Sequence, residues 1–363
     1  MERLHGRIVA LYLFDVAEAT NLQAAASAIS ASSRAKFTPK PATPAYVKYQ
    51  EAPLVFDGAV VEIPAIDGFH AGFKVFDYGV ISLRLTRDFE GTWPELADAS
   101  DQLVENEALE HQAEQACRSV AARLKHAMTD PRQTALTEDY LVFAINQLSR
   151  PHTADELVEH HGDVIASVLR GERAALSRQE RDEILRHRIS YLANDLVIPT
   201  WNAAFVYDTP AGTHAALEIV EFANSQLLQF RYYDELLDNA LASIYANVKS
   251  DARWYDAVLG RHYARAARQV HALFIDVNEL TDRTENALKI VGDVYAARLF
   301  SLVGARLDLG RWKTNVSEKL KTLDDIYRFS VERLSMMRGE LLEMAIVAIL
   351  VFELVLFFMG IMD

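Results

Sequence analysis

The sequence predicts an α+β fold: a mixed strand-and-helix body over residues 1–209, a long coiled-coil-like helical hairpin over 210–343, and one C-terminal transmembrane helix over 344–362. Three observations predict it. Up to Thr86 the apolar residues follow a strand-like pattern, and from Trp93 they recur near the helical period of 3.6. Beyond Pro210 they alternate at spacings of three and four, as two helices packed side by side require. The chain then closes on Met344–Met362, an apolar run broken only by Glu353.

In chain order, Arg7–Asp15 is rich in Ile, Val, Leu, Tyr and Phe and reads as a strand. Asn21–Ser30 is Ala-rich and reads as a short helix, and the basic, Pro-punctuated Arg34–Pro44 as a loop. Ala45–Tyr49, Leu54–Phe56 and Ala59–Ile63 read as strands, with Asp57-Gly58 as a hairpin turn. Gly72–Thr86 reads as a further strand region in which Gly79 marks a bulge or a close backbone approach.

Trp93–Met128 is expected to be one helix, with Pro94 in its first turn and Asp130-Pro131 as its stop. Asp139–Leu148 reads as a strand. Thr153–Arg170 reads as a helix, because Thr153 and Glu156 have the spacing of a capping box. Ser177–Leu192 is charged and helical, and Asp195–Asp208 reads as a buried strand broken at Pro199. Thr213–Ser250, Ala252–Leu309 and Trp312–Leu342 complete the chain as helices, with a break at Asp308–Arg311, before the terminal apolar run.

That run would form a helix of ~28 Å, close to the thickness of a bilayer's hydrocarbon core. Its Leu, Ile, Val and Phe side chains favour insertion by roughly 4–7 kcal/mol together, against roughly 2.5–3.5 kcal/mol for a central carboxylate. Lys319, Lys321, Arg328, Arg333 and Arg338 precede the run and only Asp363 follows it. The N-terminus lacks the pattern of a signal peptide. The expected topology is therefore a tail-anchored, single-pass protein with its body on the cytoplasmic side of a bacterial-type inner membrane.

The formal net charge of −14 argues against general nucleic-acid binding, which needs a basic surface. The single cysteine, Cys117, excludes an intramolecular disulfide and a cysteine-based zinc cluster. No metal site is expected. His160 and His161 are adjacent and point in different directions on a helix, His262 and His271 lie far apart, and Glu107 with His111 gives half a site at best. Phosphate-cradling glycine loops and a nucleophile elbow are absent from the sequence, so neither a catalytic nor a cofactor-binding residue is named.

Three sets of residues stand out nonetheless. Arg261, Arg265 and Arg268 form a stripe on one helix face and are candidate phosphate contacts, answered otherwise by neighbouring carboxylates. Trp201–Asp208 and Gln226–Asp238 are aromatic and polar, with Arg231 at pairing distance from Asp234 and Glu235. Glu353 is an acid inside an apolar helix, and with Gly360 on its face it is a candidate for helix association.

The segment Val75-Phe-Asp-Tyr-Gly-Val80, followed by long helices and an acid within an apolar tail, resembles the "required for meiotic nuclear division" family. Phe76, Asp77, Tyr78 and Gly79 look like that family's central strand motif, although the sequence departs from it after Val80 with Ile-Ser-Leu-Arg. The resemblance implies a membrane-anchored, self-associating protein with no established catalytic residue, one of whose members is tied to organelle translation. The functional expectation is a non-enzymatic, self-associating scaffold or tether. A ligand-binding or enzymatic N-terminal body is the alternative, and an RNA or ribosome tether a weaker one.

Overall fold

A computed structural model describes residues 2–32, 51–63, 65–104, 106–249, 275 and 294–358. The protein is α+β and divides into two units: Met1–Tyr232 with Arg283–Arg311, and Tyr233–Asp282 with Trp312–Asp363.

The first unit is built on a seven-stranded sheet. Its strands are β1 (Leu4–Thr20), β2 (Leu54–Asp57), β3 (His70–Val75), β4 (Val80–Gly91), β5 (Met128–Leu148), β6 (Leu196–Pro199) and β7 (Ala203–Tyr207), in the order β2-β3-β4-β1-β5-β7-β6. All neighbours are antiparallel except β5 and β7. The central strand β1 is buried almost continuously from Ile8 to Val16, as expected of a strand covered on both faces. Ile8, Ala10, Tyr12, Phe14 and Val16 join an apolar core with α1 (Leu22–Ser32), α2 (Trp93–Leu103), α3 (Glu107–Leu124), α4 (Ala154–Arg170) and α5 (Arg178–Arg186). The alternate residues face the first part of α6 (Pro210–Lys249), whose Gln229 donates to Asp15. Helix α7 (Val294–Arg306) adds Phe300, whose ring lies 5.7 Å from that of Phe222 on α6.

Several local readings change. Gly72–Thr86 holds two strands, β3 and β4, joined by a hairpin at Phe76–Gly79. Gly79 makes the close approach expected of it: its φ is +77° and an added Cβ would lie 1.9 Å from the Ala17 carbonyl oxygen. Gly58–Val61 is a 3₁₀ turn where a strand is predicted, because Asp57 accepts a hydrogen bond from the Ala59 N–H and Glu62 turns left-handed. Trp93–Met128 is two helices separated after Leu103. Asp195–Asp208 is a β6–β7 hairpin, its turn closed by the Thr200 hydroxyl donating to the Ala203 carbonyl at 2.9 Å. Ala45–Tyr49 and most of Ala252–Leu309 lie outside the described residues.

In the second unit, Leu237 on α6 and Val316, Leu320 and Leu323 on α8 (Leu309–Phe358) are buried. Lys319 on α8 pairs with Asp234 and Asp238 on α6, at 2.7 Å each. The last part of α8 corrects the expected membrane span. Among the described residues no helix is long and apolar enough to cross a membrane. The described part of that run, Met344 to Phe358, rises only ~22 Å, against the ~30 Å a hydrocarbon core needs, and Glu353 falls within it. The transmembrane and tail-anchored reading, the membrane as partner, and the cytoplasmic placement of the body all rested on that span and fall with it.

Candidate functional site

Parallel β5 and β7 run in register from Leu141↔Ala203 to Ile145↔Tyr207, and β1 enters beside the end of β5 with Leu4 opposite Leu148. The carboxyl ends of parallel strands are where α/β sheets commonly place ligands. Here Glu2, just before β1, meets two histidines. His152 stands one residue before Thr153, which caps α4 through the predicted capping box with Glu156. Helix α4 buries Leu157, Ile165 and Leu169 and carries His161 toward the same spot.

The His152 Nε2 is 2.8 Å from Glu2 Oε1, and the His161 Nε2 is 2.9 Å from Glu2 Oε2. One ligating atom from each of the three lies within 4.8 Å of the others. The indole Nε1–H of Trp93 donates to Glu2 Oε2 at 2.9 Å, and its ring stacks on His161 at 4.6 Å. His160 is close to His152, ring centroids 6.0 Å apart, but is outside the three-residue set. Burial acts to raise the Glu2 carboxyl, but the hydrogen bonds from Trp93 and His152 outweigh it and hold the group below the usual carboxylate range. Burial pushes His161 below the ordinary imidazole range, against the opposing attraction of Glu2.

The opposite face of the sheet carries a second ionic cluster. Lys74 on β3 donates to Glu218 at 2.7 Å and to Glu221, both on α6. Arg84 on β4 donates to the same two carboxylates at 2.9 and 2.5 Å, and the Ser82 hydroxyl donates to Glu221 at 2.6 Å. Burial would raise the Glu221 carboxyl, but Arg84 and Lys74 together bring it down to about 2. Two cations thus answer two anions, and the cluster ties α6 to the sheet.

The residues singled out in the sequence do not converge. Phe76 and Tyr78 are buried in the β3–β4 hairpin with their rings stacked at 5.0 Å, and the Tyr78 hydroxyl bonds Ser225 at 2.7 Å. Asp77 lines an open groove of about 790 Å³ with Thr20, Asn21 and Thr129. Asp208 lines a different cavity, about 190 Å³, with Asp195, Tyr191 and Tyr295. Burial raises the Asp208 carboxyl, with Asp195 adding to the effect. Arg231 bonds the Thr137 carbonyl and pairs with Glu138, while Asp234 pairs with Lys319. Glu353 is exposed on α8, and Arg261, Arg265, Arg268, His262, His271 and Gly360 lie outside the described residues. Sequence reasoning missed the Glu2–His152–His161 cluster, since no local motif joins residues so distant in the chain.

A curated protein of Methanocaldococcus jannaschii, "Uncharacterized protein MJ0711", is 23% identical to this chain over 219 residues. The aligned region covers 60% of this chain and 65% of that protein, so the chain spans slightly less than two thirds of its relative. No solved structure matches. The family model described as "Uncharacterized protein MJ0711, N-terminal domain" matches residues 5–214, from the start of β1 into α6 and including His152 and His161. With more than half of its length matched, the chain belongs to the MJ0711 N-terminal domain family.

Proposed function

We propose that the protein is a self-associating scaffold in which the end of α8 joins copies of the chain. The observation that carries this reading is the exposure of an apolar helix on all its sides. Ile349, Leu350, Phe352 and Leu354 are each 58–63% exposed, and Met344, Ile346, Val347, Val351 and Val355 are exposed with them. At a helical period these side chains point in every direction, so one partner helix cannot cover them. Each leaves on the order of 1 kcal/mol of burial unrealised, a total of about 9 kcal/mol that several packed copies would recover. Self-association is also what the resemblance to the "required for meiotic nuclear division" family implies, and that kinship is itself a proposal.

The mass of the purified full chain by light scattering tests the reading. It should exceed that of one 40.8 kDa chain several-fold, and truncation after Glu343 should return a monomer. A full chain that stays monomeric at micromolar concentration would refute it. Glu353→Leu should tighten the assembly, because copies packed through this helix bring like charges together.

A further inference from the structure

We infer that Glu2, His152 and His161 form a binding site for one divalent transition metal ion, of the zinc or cobalt kind. Two imidazole nitrogens and one carboxylate oxygen are a donor set that such ions accept, and it leaves at least one coordination position for water or a ligand. The three donors come from three separate places: the lead into β1, the connection from β5 to α4, and α4 itself. Their convergence is therefore a property of the folded unit.

The fit can be checked against metal geometry. Donors held ~2.0–2.2 Å from a tetrahedral ion stand ~3.3 Å apart. The two nitrogens now sit 2.8 and 2.9 Å from the Glu2 oxygens, as hydrogen-bond partners. All three ligating atoms lie within 4.8 Å of one another, so side-chain adjustments of about 1–1.5 Å bring them to coordinating distance. Each imidazole binds through an unprotonated Nε2, its one ring proton then sitting on Nδ1, so binding weakens at low pH where the rings are doubly protonated.

The surroundings also suit an ion. The side chains of His152, Glu2 and His161 are 7%, 13% and 21% exposed, so the ion would be largely shielded yet reachable. Trp93 orients the carboxylate through its Nε1–H, the outer-shell role that tunes metal affinity. The competing explanation is a purely structural staple in which both imidazoles donate to Glu2 and hold the chain start against α4. A staple and a metal site predict different behaviour toward zinc and cobalt.

The experiment uses the full chain without a histidine tag, stripped by chelator and titrated with Co(II) and then with Zn(II). One Co(II) per chain should bind with the visible absorption of a low-symmetry site, and Zn(II) should displace it stoichiometrically. Binding should quench part of the tryptophan emission, because Trp93 stacks on a ligand. His161→Ala and His152→Ala should each weaken Co(II) at least about 100-fold. Trp93→Phe keeps an aromatic ring on His161 and removes the donor to Glu2; it should weaken binding by about 10-fold to 100-fold. This milder variant serves if a histidine variant fails to fold, as judged by circular dichroism. Absence of stoichiometric binding by the unaltered chain would overturn the inference. So would folded His152→Ala and His161→Ala variants, or a Trp93→Phe variant standing in for them, that bind Co(II) as well as the original.

Discussion

Glu221 gives the sharpest test of what holds α6 against the sheet. Its carboxyl is fully buried, accepts from Lys74, Ser82 and Arg84, and titrates near 2, whereas the same group in an unstructured chain titrates near 4.5. Each pKa unit corresponds to about 1.4 kcal/mol, so ionised Glu221 contributes about 3 kcal/mol at neutral pH. A group whose folded pKa is depressed contributes fully above its unfolded pKa and loses that contribution as pH falls through the folded value. The contribution should therefore be complete at pH 7, about 2 kcal/mol at pH 3.5, and nearly gone by pH 2. Glu221→Gln is the matching perturbation, because glutamine copies the shape of the protonated acid. Urea denaturation of both proteins at pH 7 should show the variant less stable by about 3 kcal/mol, or somewhat more, since Lys74 and Arg84 are left with Glu218 alone. The gap should narrow steadily on acidification from pH 5 to pH 3.5. A difference under about 1 kcal/mol at pH 7, or one that does not change with pH, would refute the argument.

Two further perturbations probe other parts of the first unit. Gly79→Ala places a Cβ against the Ala17 carbonyl at a left-handed φ, so it should cost about 2 kcal/mol or more in urea denaturation; a cost under about 0.5 kcal/mol would mean the hairpin shifts freely. Cys117 is buried on α3 and burial pushes its thiol well above the usual range, so it should resist alkylation by iodoacetamide in the native protein and react only on unfolding. Stoichiometric labelling under native conditions would contradict that placement.

The sequence was most legible where a local signal had no competitor. Helix α4 is recovered because Thr153 and Glu156 cap it and its apolar residues share one face. Helix α1 and the break after α7 were readable for similar reasons: an Ala-rich run, and a turn in which Asp308 takes a positive φ. Hairpins were harder. Gly72–Thr86 and Asp195–Asp208 each hold two strands under one apolar stretch, and their turns are built from Phe, Tyr and Trp residues that read as strand formers. The polar face of α6 was not legible at all. Glu218, Glu221, Asn224, Ser225, Gln226 and Gln229 look like the solvated side of a helix, yet all six are buried. Glu218 and Glu221 meet β3 and β4, Ser225 meets Tyr78 in the hairpin between them, and Gln229 meets Asp15 on β1, all more than a hundred residues away, while Asn224 donates to Val220 on its own helix. The same distance hid Glu2 from His152 and His161. The terminal apolar run misled for the opposite reason: its composition alone suggested a span, yet no helix among the described residues is long and apolar enough to make one.

The charged contacts of α6 also make this helix hard to misplace. A purely apolar interface tolerates a helix that slides, because one greasy turn resembles the next. Here a slip of one turn, about 5.4 Å, would carry Glu218 and Glu221 past Lys74 and Arg84 and strand four charges away from water. The contact therefore acts as a ruler, accepting one axial setting and rejecting its neighbours by several kcal/mol. Fixing that register at β3 and β4 also fixes which residue of α6 meets Asp15 on β1, and that residue is Gln229.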